Sequence, residues 1–277
     1  MQGQALLWRR GGRRVVLVPT MGALHAGHES LLRRARHLAG QGGVVVASIF
    51  VNPLQFNNAH DLACYPRPTK SDRAVCQGAG VDVLFMPGTG AMRKADASTW
   101  VEETALAAGM EGAARPGHFR GVTTVVAQLL NLVLPDVAVF GEKDYQQAAV
   151  VRRMVRDLHF PVRLVVAPTV REPSGLAMSS RNAHLSAAER SRASALVRAL
   201  QAARKAARSA AGVSGGGLSR LKRRLVAQMG QDARAQVEYL EFFDPQTLKP
   251  VRRLVRGARA AVAARVGRTR LIDNVGL

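Results

Sequence analysis

The stretch Pro19-Thr20-Met21-Gly22-Ala23-Leu24-His25-Ala26-Gly27-His28 decides the fold, because its flanking residues predict a strand before it and a helix after it. The preceding run Val15-Val16-Leu17-Val18 is short, apolar and β-branched, which is typical of a buried parallel strand. After the stretch, leucine and alanine recur at helical spacing between Leu31 and Leu38. A strand, a glycine-bearing turn and a helix in this order are typical of the opening of a nucleotide-binding α/β unit.

Two histidines in this turn indicate phosphate chemistry. Gly22 and Gly27 let the backbone approach a ligand closely, and His28 stands near the start of the predicted helix, where N–H groups and the helix dipole favour an anion. The N–H groups of His25 and His28 can hold phosphate oxygens while charge builds during attack at phosphorus. A lone histidine in a loop is more often an ordinary surface residue, whereas two histidines around a glycine favour a triphosphate site here.

Length and composition indicate a folded chain with no export signal. The 277 residues suffice for one large or two ordinary domains, and a hydrophobic content of 47% permits a full core. The sparse cysteines, Cys64 and Cys76, fit a reducing compartment. No apolar run reaches the ~18 residues of a membrane span, and Ala5-Leu6-Leu7-Trp8 is too short for a signal-peptide core. We therefore expect a cytoplasmic protein with no membrane partner.

The net charge of +21 is concentrated in the C-terminal third, with 21 basic and 13 acidic residues up to Asn182 and 19 and 6 beyond it. Nucleic acid is the first partner to consider for such a chain. However, the arginines are not interleaved with aromatic residues, and no helix-turn-helix, zinc-finger or RNA-binding signature is present. No group of Cys and His has zinc spacing. We expect no specific nucleic-acid partner, and we assign part of the charge to binding anionic substrates.

Four further apolar runs predict strands of the same parallel sheet, at 44–51, 81–86, 137–140 and 162–166, with helices over 70–78, 122–134 and 149–158. Loops at the carboxyl ends of such strands are the ligand positions of an open α/β sheet. One of these loops carries Asn52 and Gln55, and another runs from Gly141 to Gln147. Residues 88–99 are predicted to be a mobile loop.

The character of the chain changes from about Val170. Met178-Ser179-Ser180-Arg181 offers two hydroxyls, backbone N–H groups and a guanidinium, which suits a phosphate clamp. Ser186-Ala187-Ala188-Glu189 is a capping box that opens a long helix to about Ala211. A flexible break over 212–217 follows, then a helix over 218–230 and strands at 237–243, 260–266 and 269–272.

These patterns predict an α/β protein with two domains. Residues 1–169 are expected to form a Rossmann-like parallel-sheet nucleotide-binding domain, and residues 170–277 a smaller C-terminal α+β lid domain. The ligand loops would then line one basic, amide-rich pocket between the two lobes, suited to an ATP-like nucleotide with chemistry at its α-phosphate.

Single residues in these loops leave alternatives open. Lys143 either reaches a phosphate as a point charge or points to water. Asp144 either binds a ribose hydroxyl or caps the next helix. Gln55 and Gln147 carry amides that can grip both a hydroxyl and a carboxylate oxygen, although each alone is more often an ordinary surface residue.

The sequence resembles the pantothenate synthetase (pantoate–β-alanine ligase) family of the HIGH-motif nucleotidyltransferase superfamily. The matching strings run in order over nearly the whole chain, at 19–28, 48–56, 61–67, 111–119, 140–147, 178–182 and 269–274. Three segments depart from the family pattern, and one of them, Pro68-Thr69-Lys70-Ser71-Asp72, is less acidic than usual. Residues 1–14 are shorter than the helical segment that usually precedes the first strand, and Ala91-Met92-Arg93-Lys94-Ala95 replaces a Tyr-Pro-Gly-type flap.

The resemblance implies ATP-dependent condensation of (R)-pantoate with β-alanine to pantothenate through an enzyme-bound pantoyl adenylate, with release of AMP and pyrophosphate. It also implies Mg²⁺ accompanying ATP, and a homodimer. The catalytic residues carried over by position are His28, His25 and Lys143, and no metal ligand is assigned. The residues implied to bind ATP are Pro19, Thr20, Met21, Gly22, Ala23, Leu24, His25, Ala26, Gly27, His28, Gly141, Glu142, Lys143, Asp144, Val170, Met178, Ser179, Ser180 and Arg181. Those implied to bind pantoate or β-alanine are Asn52, Gln55 and Gln147.

Two other function classes remain as alternatives. An adenylyl- or cytidylyltransferase of the same superfamily would join a nucleotide to a phosphate acceptor, and it would need an additional cationic pocket rather than two glutamines. A basic, non-catalytic nucleic-acid-binding protein would show salt-sensitive binding to a duplex and no turnover.

Overall fold

The computed structural model describes residues 1–208 and 213–277, which form two compact units. Unit 1 comprises Met1–Ala108, Arg115–Glu142 and Gln146–Thr169, and unit 2 comprises Gly109–Ala114, Lys143–Tyr145 and Val170–Leu277. Two short segments, 109–114 and 143–145, thus group with unit 2, whereas the predicted division was linear. The division at 169/170 into separate domains stays a prediction.

The helices of the described residues are α1 (Gln2–Arg10), α2 (Ala26–Ala39), α3 (Ala59–Ala63), α4 (Thr69–Gly78), α5 (Thr89–Met92), α6 (Glu111–Ala114), α7 (His118–Val133), α8 (Tyr145–Asp157), α9 (Ala187–Ala207) and α10 (Gly215–Ala233). The strands are β1 (Val15–Thr20), β2 (Val44–Ile49), β3 (Val83–Phe85), β4 (Val137–Gly141), β5 (Arg163–Ala167), β6 (Val213–Ser214), β7 (Gln236–Phe243), β8 (Arg253–Leu254), β9 (Arg259–Val266) and β10 (Thr269–Gly276). Short 3₁₀ turns lie at Pro53–Gln55, Glu142–Asp144 and Ser180–His184.

Unit 1 is built on a parallel sheet with strand order β3-β2-β1-β4-β5. Successive residues of its central strands alternate between two cores: Val15 and Leu17 face one, and Val16 and Val18 face the other. Helices α1, α7 and α8 supply apolar side chains to the first core, and α2 and α4 to the second. Burial on both faces explains why these strands read as continuous apolar runs. The predicted Rossmann-like fold is confirmed.

The strand order places a change of direction between β1 and β4, since the chain proceeds outward from β1 to β3 and then returns to the other side of β1. In an open α/β sheet, ligands bind outside the carboxyl ends of the strands at such a switch point. The turn after β1, which begins at Met21, and the segment after β4, which begins at Glu142, both leave the sheet there.

Unit 2 packs two long helices against an antiparallel sheet of order β10-β9-β7. Small residues such as Ala199 and Ala203 on α9 lie against the sheet, while Leu225 and Met229 of α10 are fully buried in the same core. This is the smaller α+β part that the sequence predicts.

A buried ion network holds the 109–114 segment in unit 2. Arg270 of β10 donates to both carboxylate oxygens of Glu111, at 2.8 and 2.7 Å, and the Tyr239 hydroxyl donates to the same carboxylate at 2.8 Å. Burial, together with the nearby charge of Glu111, raises the pKa of Tyr239 above its ordinary value. Because Glu111 is almost completely buried, these three donors compensate the loss of its hydration.

Two local predictions are wrong. Residues 88–99 are not a mobile loop throughout: 89–92 form α5, Met92 is buried in the core, and the Arg93 guanidinium lies 4.2 Å from the centre of the Trp100 ring. Residues 215–217 are not a break, because α10 begins at Gly215, directly after the short pairing of β6 with β8.

Other local predictions have different outcomes. The capping box at Ser186 and the helix over 70–78 are confirmed. The predicted helix end near Ala211 and the start of the break at Gly212 lie outside the described residues. No helix in 1–208 or 213–277 has the length and hydropathy to cross a membrane. Both cysteines are unpaired thiols.

Candidate active site

The turn between β1 and α2 has a backbone shape that its sequence requires. Gly22 has φ +82°, and a Cβ there would lie 2.9 Å from an oxygen of Asp72 and 3.0 Å from a methyl of Ile49. Ala23 follows with φ +52°, a left-handed conformation that non-glycine residues adopt at a cost. The Thr20 hydroxyl accepts from the Gly22 N–H at 3.2 Å and donates to the Ser48 carbonyl at 2.8 Å, which ties the turn to β2.

Asp72 of α4 stabilises this strained turn through its carboxylate. Its two carboxylate oxygens accept the N–H groups of Ala23 and Leu24, at 3.0 and 2.8 Å, and its side chain is buried. Charge-assisted bonds of this kind are stronger than neutral ones, and they compensate the burial of the carboxylate. The sequence interpretation missed this role of Asp72, because it depends on α4 meeting a turn 48 residues earlier in the chain.

His25 and His28 cap α2 with one ring nitrogen each. The Nδ1 atom of His25 accepts from the Gly27 N–H at 3.1 Å, and the Nδ1 atom of His28 lies 3.4 Å from the His25 backbone nitrogen, as its acceptor. The ring centres are 4.1 Å apart, with a 38° tilt. Together the two bonds form a reciprocal capping box with imidazoles in place of the usual hydroxyl and carboxylate.

This cap determines the tautomer of both rings. An Nδ1 that accepts a backbone N–H carries no proton, so the proton of each neutral imidazole lies on Nε2. The two Nε2–H donors stand at the N-terminus of α2, where the helix dipole already favours negative charge. Both imidazoles therefore lie together at this helix end, and that they bind phosphate there stays a prediction.

Asn52 and Gln55 lie in the turn after β2 and are in direct contact. Asn52 is buried, and its amide donates to the Gly121 carbonyl and to Oε1 of Gln55, both at 3.1 Å. The Gln55 amide in turn donates to the sulfur of Met21, in the turn after β1. A Cβ at Gly121 would lie 2.4 Å from the Leu54 carbonyl oxygen, so glycine is required for α7 to approach this turn.

The main chain of Gln55 is held by the side chains of Arg115 and His118. Arg115 Nη2 lies 2.8 Å and His118 Nδ1 2.9 Å from the Gln55 carbonyl oxygen. Because the carbonyl only accepts, His118 carries its proton on Nδ1. Arg115 and His118, which lie in the matching string 111–119, thus support Gln55.

The residues predicted after β4 divide between the units. Gly141 ends β4, and Glu142 also belongs to unit 1. Lys143 and Asp144 belong to unit 2, with Lys143 Nζ 3.5 Å from a carboxylate oxygen of Asp144. Gln147 lies half-buried in the first turn of α8, and its neighbour Gln146 is turned inward to the Leu106 carbonyl at 2.9 Å.

Local hydrogen bonds fix Met178–Arg181 of unit 2, the string predicted to be a phosphate clamp. Ser179 caps the 3₁₀ turn by accepting the Arg181 N–H at 3.3 Å, and the Met178 N–H donates to the Val170 carbonyl at 3.0 Å. The neighbouring Arg171 pairs with Asp273 of β10 through two bonds of 2.7 and 2.9 Å. Val170 and Met178 are therefore joined by a backbone hydrogen bond within unit 2. That Val170 and Met178–Arg181 bind the same nucleotide as the histidine turn stays a prediction.

No group of three or more His, Cys, Asp or Glu residues suited to a metal ion occurs in the part of the chain that the structure describes. The two oxygens of Asp72 are already used by backbone N–H groups. The carboxylate of Asp144, in the segment that follows β4, is 46% exposed and lies 3.5 Å from Lys143 Nζ.

Comparisons with known proteins identify the family of this chain. The family model described as pantoate-beta-alanine ligase matches residues 1–276. Among curated proteins, the pantothenate synthetase of Akkermansia muciniphila is 50% identical over 263 residues, covering 95% of this chain and 92% of that protein. That of Anaeromyxobacter dehalogenans is 49% identical over 281 residues, covering 99% and 94%.

Solved structures give the same result. Pantothenate synthetase from Thermus thermophilus superposes with a TM-score of 0.88 at 48% identity, covering 98% of this chain and 97% of that one. Pantoate-beta-alanine ligase from Francisella tularensis, complexed with "Beta-gamma ATP and Beta-alanine", has a TM-score of 0.78 at 32% identity, covering 99% and 95%. The resemblance found in the motifs is confirmed, and the chain belongs to the pantoate-beta-alanine ligase family.

Proposed function

We propose that this chain joins (R)-pantoate to β-alanine at the expense of ATP, with a pantoyl adenylate as the bound intermediate. The observation that carries the proposal is the pair of Nε2–H donors that His25 and His28 present at the N-terminus of α2. Donors fixed in this way stabilise charge without moving during the reaction. The amide of Gln55, which Asn52 holds in place, favours a hydroxy acid over a phosphate acceptor.

In the first step, a carboxylate oxygen of pantoate forms a bond to the α-phosphorus of ATP, and the bond to pyrophosphate breaks. Negative charge accumulates on the non-bridging oxygens of the α-phosphate. His28 and His25 donate hydrogen bonds to these oxygens, and Lys143 balances charge on the leaving phosphates. The step needs no protein nucleophile, because the substrate carboxylate supplies the attacking atom.

Gln55 and Gln147 would hold pantoate in line for this attack, with Asn52 supporting the position of Gln55. Arg115 and His118 anchor the Gln55 carbonyl, so the side-chain amide starts from a fixed backbone. Holding two reactants in a reactive geometry supplies a large part of such rate enhancements.

The remaining predicted ATP contacts come from both units. The turn residues from Pro19 to His28 and the pair Gly141–Glu142 lie in unit 1, and Lys143, Asp144, Val170 and Met178–Arg181 lie in unit 2. Arg181 and the hydroxyls of Ser179 and Ser180 suit phosphate oxygens.

In the second step, the β-alanine amine attacks the carbonyl carbon of the pantoyl adenylate, and the bond from that carbon to the AMP oxygen breaks. A proton leaves the nitrogen as the amide forms. The products are pantothenate and AMP, and the histidine pair again faces the phosphate that departs.

Three further statements belong to this proposal. Mg²⁺ would enter with ATP, neutralise charge on the phosphates and be held chiefly by phosphate oxygens. The protein would act as a homodimer. It would work in the cytoplasm.

The test is a product assay with the purified chain, ATP, Mg²⁺, β-alanine and (R)-pantoate labelled with ¹⁸O in its carboxylate. We expect pantothenate, AMP and pyrophosphate in equal amounts, with one ¹⁸O atom transferred to AMP. Formation of a nucleotidyl product from a phosphate acceptor would support the nucleotidyltransferase alternative instead. No turnover together with salt-sensitive duplex binding would support the nucleic-acid-binding one.

A further inference from the structure

The C-terminal string Thr269–Asn274 matched the family pattern but received no role, and the side-chain amide of its last residue bonds to two distant residues of unit 2. Asn274 is buried in unit 2. Its Nδ2 donates to the Lys143 carbonyl oxygen at 2.8 Å, and its Oδ1 accepts from Arg259 Nη2 at 2.6 Å. Since a guanidinium can only donate, the amide has one possible orientation, with its N–H group directed at Lys143.

The same arginine also holds the other end of the 143–145 segment. The Arg259 guanidinium lies 4.0 Å from the centre of the Tyr145 ring, and the Tyr145 hydroxyl donates to the Pro245 carbonyl at 3.0 Å. The three-residue segment is therefore fixed at its first residue by an amide of β10 and at its last by a cation of β9. This arrangement explains why so short a segment belongs to unit 2.

We propose that Asn274 is a positioning residue that directs Lys143 toward the phosphates of ATP. A bond to the carbonyl of Lys143 fixes the peptide plane that follows its Cα, and with it the direction in which the side chain leaves the backbone. This proposal rests on the proposed role of Lys143. Displacing a catalytic group by about 1 Å can lower a rate by up to about 10²-fold, so one hydrogen bond at this point has a kinetic effect.

The competing explanation is that Asn274 only satisfies a buried carbonyl, as many buried amides do. A purely structural bond would lower stability when removed and would leave the kinetics of adenylation unchanged. The two explanations therefore differ in whether the effect of Asn274 passes through the Lys143 side chain.

A double-mutant cycle with Asn274→Asp and Lys143→Ala separates them. Asn274→Asp keeps an oxygen for Arg259 and removes the N–H group that faces Lys143. The assays are pantoate-dependent exchange of pyrophosphate into ATP, which reports adenylation alone, and the melting temperature. Asn131→Asp, on the exposed surface of α7 in unit 1, is the control for the added negative charge.

We expect Asn274→Asp to lower the exchange rate about tenfold, with a smaller change in KM for ATP and no change in the control. In the Lys143→Ala background, we expect the same substitution to lower the rate less than twofold, because its target is gone. If Asn274→Asp does not fold, Asn274→Ser, which adds no charge, gives the same cycle.

Two results would overturn this inference: an unchanged exchange rate in the folded variant, or an equal loss with and without the Lys143 side chain. An unchanged rate in Lys143→Ala alone would instead contradict the role of Lys143 in the proposed function.

Discussion

Helices α2 and α9 both begin with a reciprocal capping box, but they use it differently. At α9, Ser186 and Glu189 exchange bonds with each other's backbone N–H groups, at 3.3 and 2.9 Å, and both side chains are committed to the cap. At α2, His25 and His28 make the equivalent bonds with Nδ1, and Nε2 lies on the far side of each ring. An imidazole can thus cap a helix with one nitrogen and donate to an anion with the other. The serine and the glutamate at the start of α9 use their side chains for the cap.

The residue types in a capping box indicate whether it serves stability alone or also a functional site. Serine is among the preferred N-cap residues, so α9 has the cap expected for stability alone. Histidine is a less common choice, and it stands after a turn with two left-handed residues that Asp72 holds in place. Unusual cap chemistry together with local strain is typical of functional positions.

The largest effect is expected from His28→Ala, which removes one of the two donors to the α-phosphate. We expect kcat to fall by about two to three powers of ten, the loss seen when a transition-state donor is removed. Steady-state production of AMP is the measurement. His37→Ala, on the exposed face of the last turn of α2, is the matched control and should retain full activity. Equal activity of the two variants would refute the catalytic assignment.

His25→Ser tests the difference between the two caps directly, because it gives α2 the same N-cap residue type as α9. We expect kcat to fall by about tenfold to a hundredfold through loss of the Nε2 donor. The free energy of unfolding should stay equal or rise, since serine is a preferred N-cap. Urea denaturation and the product assay on the same preparation measure both quantities. A variant that loses stability but keeps kcat would show that His25 serves only the helix.

Asp72→Asn tests the support beneath the turn. One carboxylate oxygen is replaced by an NH₂ group that faces a backbone N–H, so we expect a loss of about 1–3 kcal/mol in the free energy of unfolding and a fall in kcat of about tenfold. Asp82→Asn is the control, since Asp82 accepts the Val45 N–H at 2.7 Å at the opposite end of the sheet. It should lower stability and leave kcat unchanged, and a parallel loss of kcat in both variants would contradict a specific role of Asp72.

Ser186→Ala removes the N-cap side chain of α9, the cap that we expect to serve stability alone. We expect a loss of about 1 kcal/mol in the free energy of unfolding, as for other N-cap serines, and no change in kcat or in KM for ATP, pantoate or β-alanine. Thermal unfolding and steady-state kinetics check the two parts. A kinetic effect as large as that of His25→Ser would remove the distinction between the two caps.

The smallest effect concerns pH at the same cap. The Ser186 backbone N–H and hydroxyl lower the pKa of Glu189 below its ordinary value. A lowered folded-state pKa contributes stability above the ordinary carboxyl pKa, and this contribution disappears as pH falls through the folded-state value. The melting temperatures of the native protein and of Glu189→Gln should therefore differ slightly at about pH 7 and converge below about pH 4. A difference that does not depend on pH would contradict this origin.

The sequence was sufficient where local pattern determines structure. The apolar runs of β1, β2 and β4 are buried on both faces of one sheet, so no alternative element fits them. The Ser186 box was equally readable, because all of its atoms lie within four residues. The place of the histidine turn between a strand and a helix was also predictable from the sequence, and that it binds an anion stays a prediction.

Contacts between segments that lie far apart in the chain could not be predicted from the sequence. Asp72 supports Leu24 across 48 residues, and Asn274 reaches Lys143 across 131. Gly215 begins α10 although glycine is a poor helix former, because the β6–β8 pairing and the buried Leu221 and Leu225 determine where the helix lies. Tertiary packing overrides local propensity in each of these places.

Strand β1 is hydrogen-bonded on both edges, to β2 and to β4, and the side chains of Val15 to Val18 are completely shielded from solvent. Amides in such a strand exchange with deuterium only through the rarest openings of the chain. We therefore expect the backbone of the histidine turn to be anchored to a strand that opens only rarely.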